Sequence, residues 1–153
     1  MKMKDLLHIA IFVVAATSYS AFAGDYGTAQ EARAMLERVV TALKTNESAA
    51  LAKFNKGEDG FKDRDLYPFC AAPDGSLTAH PVYYPDLDEG NLKTVKDKTG
   101  KAFGKEIFQK ARNGEISKVA YMWPRPGETN PVQKIAFVTK VGDQVCGVGY
   151  YKD

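Results

Sequence analysis

Ala32, Met35, Leu36, Val39, Val40 and Leu43 recur at intervals of three and four, the spacing that lays apolar side chains along one face of a helix. Thr28-Ala-Gln-Glu31 stands at the head of this run as a capping box, in which hydroxyl and carboxylate satisfy free amides at the helix start. The pattern continues loosely through Leu51 and Phe54, which predicts a long N-terminal helix, kinked near Asn46 and ended by Gly57 and Gly60. From Tyr67 the period changes. Tyr67 to Ala72 and Leu77 to His80 read as short strands around the turn dipeptide Asp74-Gly75. Lys101 to Arg112 reads as a short helix with Phe103, Ile107, Phe108 and Ala111 on one side, stopped by Asn113-Gly114. Lys118–Trp123, Gln133–Lys140 and Gln144–Tyr151 are three further strands, the last two joined by a tight turn at Gly142-Asp143. Two-residue turns require antiparallel neighbours. The order predicts an α+β fold, an antiparallel sheet with helices on one side.

Pro81 to Asp97 shows no period and carries prolines, tyrosines and acids. Connections of that length are often binding loops or lids. The two ends of the chain add a compartment. Lys2 and Lys4 precede an apolar run from Leu6 to Ala16, and Ala21-Phe22-Ala23 has the small-x-small form that a signal peptidase cleaves. The run falls short of the roughly 20 residues of a membrane-spanning helix. The expectation is a signal peptide over residues 1–23 and one exported domain over 24–153, periplasmic or secreted. The formal charge of +2 drops by one unit without Lys2, Lys4 and Asp5. So balanced a chain shows no electrostatic footprint for nucleic acid or an anionic membrane. Cys70 and Cys146 form an even pair in an oxidising compartment, where one disulfide is the simplest outcome and a redox pair the alternative.

Catalytic patterns are scarce. His80 is the one histidine beyond the signal segment. A two-residue turn at Asp74-Gly75 would set Cys70 opposite Ala79, sending His80 to the other sheet face and disfavouring a Cys70–His80 dyad; a longer loop would shift that register. One histidine and two distant cysteines make a poor zinc set. Asp86-Leu-Asp88-Glu-Gly90 lacks the spacing of a calcium loop. Gly147-Val-Gly149 lies within a strand with no helix after it, so it marks close packing or a bulge rather than a dinucleotide site. No cofactor and no enzymatic activity are expected.

Tyr67-Pro-Phe, Asp74-Gly75, Ala79-His80-Pro81, Asp97-Lys-Thr-Gly100-Lys101, Tyr121-Met-Trp-Pro-Arg-Pro-Gly127, Pro131-Val-Gln-Lys134 and Gly147-Val-Gly149-Tyr150 follow one another in that order. Together they resemble the single Cache domains, extracytoplasmic sensor modules related in shape to PAS domains. The resemblance runs from about Asp65 onward, and the long N-terminal helix also fits it. It implies a PAS-like five-stranded antiparallel sheet with that helix along one face. It also implies a small-molecule pocket on the other face, beneath the helix-containing connection between the second and third strands. Small organic acids and amino acids are the implied ligands. Its first and last strands are neighbours, which would bring Cys70 close to Cys146. Members of that family usually sit between transmembrane helices of chemoreceptors or histidine kinases. This chain stops at Asp153, directly after the last strand. The expectation is therefore a protein that passes its ligand or signal to a membrane receptor, histidine kinase or transporter.

Strand alternation puts Val119, Tyr121 and Trp123 on one face, and aromatic rings with a polar tip suit a concave site as well as a core. Lys134 interrupts an apolar strand. It is either a point charge for a carboxylate or an edge-strand lysine that reaches to water. His80 at the pocket mouth and Tyr150 complete the expected ligand-binding set, with Tyr83, Tyr84 and Arg125 as weaker candidates. The functional expectation is a non-enzymatic sensor of a small carboxylate-bearing metabolite. Its rival is a protein-interaction module with a vestigial pocket.

Overall fold

The computed structural model describes residues 24–82 and 91–152. The expected signal peptide, the tyrosines Tyr83 and Tyr84 and the acids Asp86, Asp88 and Glu89 lie outside the described residues. Helices α1 (Ala29–Thr45) and α2 (Glu47–Lys56) are followed by strands β1 (Pro68–Ala71) and β2 (Leu77–Ala79). Helix α3 (Phe103–Lys110) and strands β3 (Ser117–Pro124), β4 (Pro131–Val141) and β5 (Gln144–Tyr151) complete the order.

The Thr28 capping box forms as expected: the Thr28 hydroxyl accepts from the Glu31 amide, and the Glu31 carboxylate accepts from the Thr28 amide. The long helix is not merely kinked. Asn46 takes an extended backbone, ends α1 and caps α2, its side-chain oxygen accepting from the Ala49 amide at 3.0 Å. Asparagine competes with the helix for backbone partners and so favours such a break. At Gly57 a φ of 67°, open to glycine at little cost, closes α2.

All strand pairs are antiparallel, in the order β2-β1-β5-β4-β3. Both sheet faces are covered, which corrects the expectation of helices on one side. Met35, Leu36, Val39 and Phe54 of α1 and α2 pack with Cys70, Phe137, Cys146 and Val148. On the opposite face Phe69, Val119, Tyr121, Trp123 and Ala136 meet Leu92, Val95, Phe103 and Ile107. The strands nearest the middle bury residues on both faces, which leaves no solvated side. Gly104 lets α3 sit tightly there, since an added Cβ would stand 1.6 Å from the Leu92 carbonyl oxygen.

First and last strands are neighbours, and Cys70 lies directly opposite Cys146. The two are joined in a disulfide across residues 76 apart in sequence, their Cα atoms separated by 4.1 Å. Cys70 is thus neither a free thiol nor half of a dyad. It pairs with Ala79 on its other side, as a two-residue turn would require, although the turn itself is longer. The Ala72 amide donates to the Ser76 carbonyl, and the register slips between Cys70 and Ala71 to absorb the extra length. A bulge is the usual device for this.

Candidate ligand-binding site

Tyr121, Lys134 and Tyr151 form one row across three strands, because Lys134 is the register partner of Tyr121 on β3 and of Tyr151 on β5. Strand alternation turns all three toward the face covered by α3. The Lys134 side chain then crosses β5 above Gly149, where an added Cβ would lie 2.3 Å from its Cε. The glycine pair thus makes room. Gly147 does so for the Phe69 ring, and Gly149 does so for the lysine stem.

Lys134 ends at Tyr67, its Nζ donating to the phenolic oxygen at 2.7 Å. Only 2% of the residue is exposed. The Tyr67 and Tyr151 rings face the ammonium, with centroids at 4.2 and 4.9 Å. Lys134 is thus no edge-strand residue reaching for water. Among the described residues no carboxylate forms an ion pair with Nζ. Burial pushes its pKa from 10.5 down to about 7, and the Asp65 charge offsets only part of that. One oxygen of Asp65 accepts from the Gly27 amide at 2.7 Å and the other stands 3.6 Å from the Arg125 guanidinium. The Tyr67 and Tyr151 hydroxyls lie 3.5 Å apart, and Tyr151 donates to the Pro124 carbonyl at 2.9 Å.

The wall opposite the lysine is aromatic. Phe103 of α3 stacks on Tyr121 at 4.0 Å and meets Trp123 edge-on at 5.3 Å. The His80 ring stands edge-on to Tyr67 at 5.3 Å, and its Nδ1 is paired with the Val82 carbonyl. These groups, with Phe69 and Leu92, line a space of about 10 Å³. That is about the room of one water molecule. Two wider hollows of about 360 and 330 Å³ open around Asn113 and Lys140. Neither collects a buried charge.

Of the expected ligand set, Tyr121, Trp123, Lys134 and His80 come together. Tyr150 does not. It packs against Phe137 on the face covered by α1 and α2, with ring centroids 5.9 Å apart, and Tyr151 holds the position expected of it. The turn at Gly142-Asp143 pairs Val141 with Gln144, and counting back from there already sets Lys134 opposite Tyr151. Arg125 lies over the Tyr26 and Tyr151 rings at 4.1 and 5.3 Å, behind the site rather than in it. Tyr67 and Phe103 escaped notice, one at a strand start and the other as apparent helix core.

Asp97 fastens the covering segment to the sheet. Its Oδ1 accepts from the Thr99 amide and hydroxyl and from the Lys101 amide, and its Oδ2 accepts from the Met122 amide on β3. Burial raises the pKa of this carboxyl, but the Met122, Thr99 and Lys101 donors outweigh that and hold it below the usual range. Asp97→Ala should cost on the order of 2–4 kcal/mol in urea melts at neutral pH, because buried amides lose a charged acceptor. The gap should narrow as pH falls through the depressed carboxyl value, where the native protein loses the same stabilisation.

The single Cache domain 2 family model matches residues 1–153. The methyl-accepting chemotaxis protein McpP of Pseudomonas putida is 32% identical over 98 residues, or 63% of this chain and 16% of that receptor. The chain therefore spans only a small part of the curated relative it matches. Among solved structures, the periplasmic sensor domain of a chemotaxis protein is 28% identical, with 81% of this chain and 90% of that one covered and a TM-score of 0.60. A methyl-accepting chemotaxis protein from Vibrio parahaemolyticus, 24% identical with 81% and 88% covered, shares the fold at a TM-score of 0.65. So does a Cache chemosensory domain solved for its recognition of carboxylic acid, 23% identical with 81% and 88% covered and a TM-score of 0.56. With its five-stranded antiparallel order, the chain belongs to the single Cache domain family of extracytoplasmic sensor domains.

Proposed function

We propose that this protein is a non-enzymatic sensor that binds a small monocarboxylate at Lys134. The observation that carries this is a fully buried lysine with one hydroxyl partner and no carboxylate. A buried cation is costly until an anion meets it. The surrounding walls are aromatic and supply no second cation among the described residues, so one carboxylate and a short apolar body suit the space. The structural neighbour that recognises carboxylic acid supports the same reading. Tyr121 and Trp123 would then form the flat wall, Tyr67 would share the carboxylate with Lys134, and His80 would stand at the mouth. The relative's role in chemotaxis supports a signalling output, passed to a membrane receptor, histidine kinase or transporter.

The small volume favours the rival, a docking module with a vestigial pocket. Entry of even acetate requires the lining to widen. Thermal unfolding with acetate, propionate, pyruvate and amino acids separates the two. A ligand at about 100 times its dissociation constant stabilises by roughly 2.7 kcal/mol. A shift with short carboxylates and none with neutral amides of the same size is expected. No shift with any carboxylate would leave the docking module.

A further inference from the structure

We propose that the site takes up a proton at Lys134 whenever it binds a carboxylate, so that the protein reads an acid together with its proton. The inference rests on the carboxylate reading above and adds a regulation to it. Lys134 is buried, and its Nζ reaches a space lined on every described side by groups that carry no negative charge. From the start of β1 comes the Tyr67 hydroxyl at 2.7 Å, from β5 the Tyr151 ring, and from β3 Tyr121. From the end of β2 comes His80, already tied to the Val82 carbonyl. The covering segment and α3 contribute Leu92 and Phe103, which do not ionise. The acids nearby are engaged elsewhere: Asp65 with the Gly27 amide and Arg125, Asp97 with four donors of its own loop and β3.

An ammonium sealed in such a place is destabilised by lost hydration. The empty site therefore favours the neutral amine, and its value of about 7 agrees with that geometry. An arriving carboxylate reverses the balance, because an opposite charge within a few ångströms favours the charged form. Nothing covalent changes; one proton moves from solvent to Nζ. Binding is then strongest where the empty site is already protonated and weakens as that fraction falls. The output would rise with acid load on two counts, more carboxylate and more protons.

The test is titration calorimetry with acetate on the intact chain at pH 7, 8 and 9, in phosphate and in Tris. Acetate stays ionised throughout, and an ordinary histidine is already neutral across most of this range. The expected result is a dissociation constant that rises about tenfold between pH 8 and pH 9. At pH 8 the heat should differ between buffers by about one proton's ionisation per acetate bound. Equal affinity at pH 7 and pH 9 with no buffer-dependent heat would overturn the proton linkage while leaving the carboxylate site intact. Absence of acetate, propionate and pyruvate binding at every pH would sink both together. Lys134→Arg supplies a second check where it folds, since guanidinium keeps its charge. Its acetate affinity should be flat across this range, and a slope as steep as the native one would place the proton elsewhere.

Discussion

Lys134→Met abolishes carboxylate-dependent stabilisation and, at pH 6, makes the unliganded protein more stable than the native chain. Methionine keeps the unbranched length that passes over Gly149, so the row between Tyr121 and Tyr151 stays filled. What disappears is the buried cation. Its folded-state value of about 7 lies well below the 10.5 of an exposed lysine. Between those values the unfolded chain holds more protons than the folded one, so native stability climbs as pH rises from about 7 to 10.5. Each unit of that difference corresponds to about 1.4 kcal/mol, so the penalty below pH 7 is on the order of 5 kcal/mol. Replacement of buried charges by apolar side chains recovers roughly 1–4 kcal/mol in comparable cases. Urea melts at pH 6 and pH 10 check this directly. The variant should gain most at pH 6, and its advantage should shrink toward pH 10. A variant weaker than the native chain at both values would mean that the bond to Tyr67 outweighs the cost of burial.

The same residue shows how far the sequence could be read. Lys134 stood out because it interrupts an otherwise apolar stretch of its strand, and the alternation of β3 correctly set Tyr121 and Trp123 on one face. Its depth was not legible, because it depends on Gly149 beneath the stem and on Tyr67 at the far end of another strand. The Gly-x-Gly-Tyr motif points to Tyr150, whereas the strand parity that the Gly142-Asp143 turn fixes points to Tyr151. Asn46 was legible as a weak point but not as a full break, since the apolar period runs on through it while its side chain serves the next helix. The covering helix showed its apolar side plainly. Its role in the site depends on a stack between Phe103 and Tyr121, which ties from Asp97, Lys101 and Lys110 to β3 help to position.

Cys70→Ala with Cys146→Ala should lower stability by about 4 kcal/mol, the loop-entropy value for a closed loop of 76 residues. That is a large share of the roughly 5–15 kcal/mol that holds a typical domain together. The local consequence is larger than the number suggests. Strand β1 has four residues and β2 has three, and they join the rest of the sheet through β5. The cross-link therefore pins the two shortest strands to the central one. Tyr67 stands immediately before β1 and holds the Lys134 amine, so loosening β1 loosens the site as well. Reduction of the native protein should reproduce the variant, which separates loss of the bond from loss of the sulfur atoms. Hydrogen exchange should speed first at the β1 and β2 amides, and any acetate response should weaken in step. An unchanged urea midpoint after verified reduction would show that packing against α1 and α2 alone secures β1. A fall in stability with an unaltered acetate response would mean that Tyr67 is held by its neighbours in the aromatic layer rather than through the sheet.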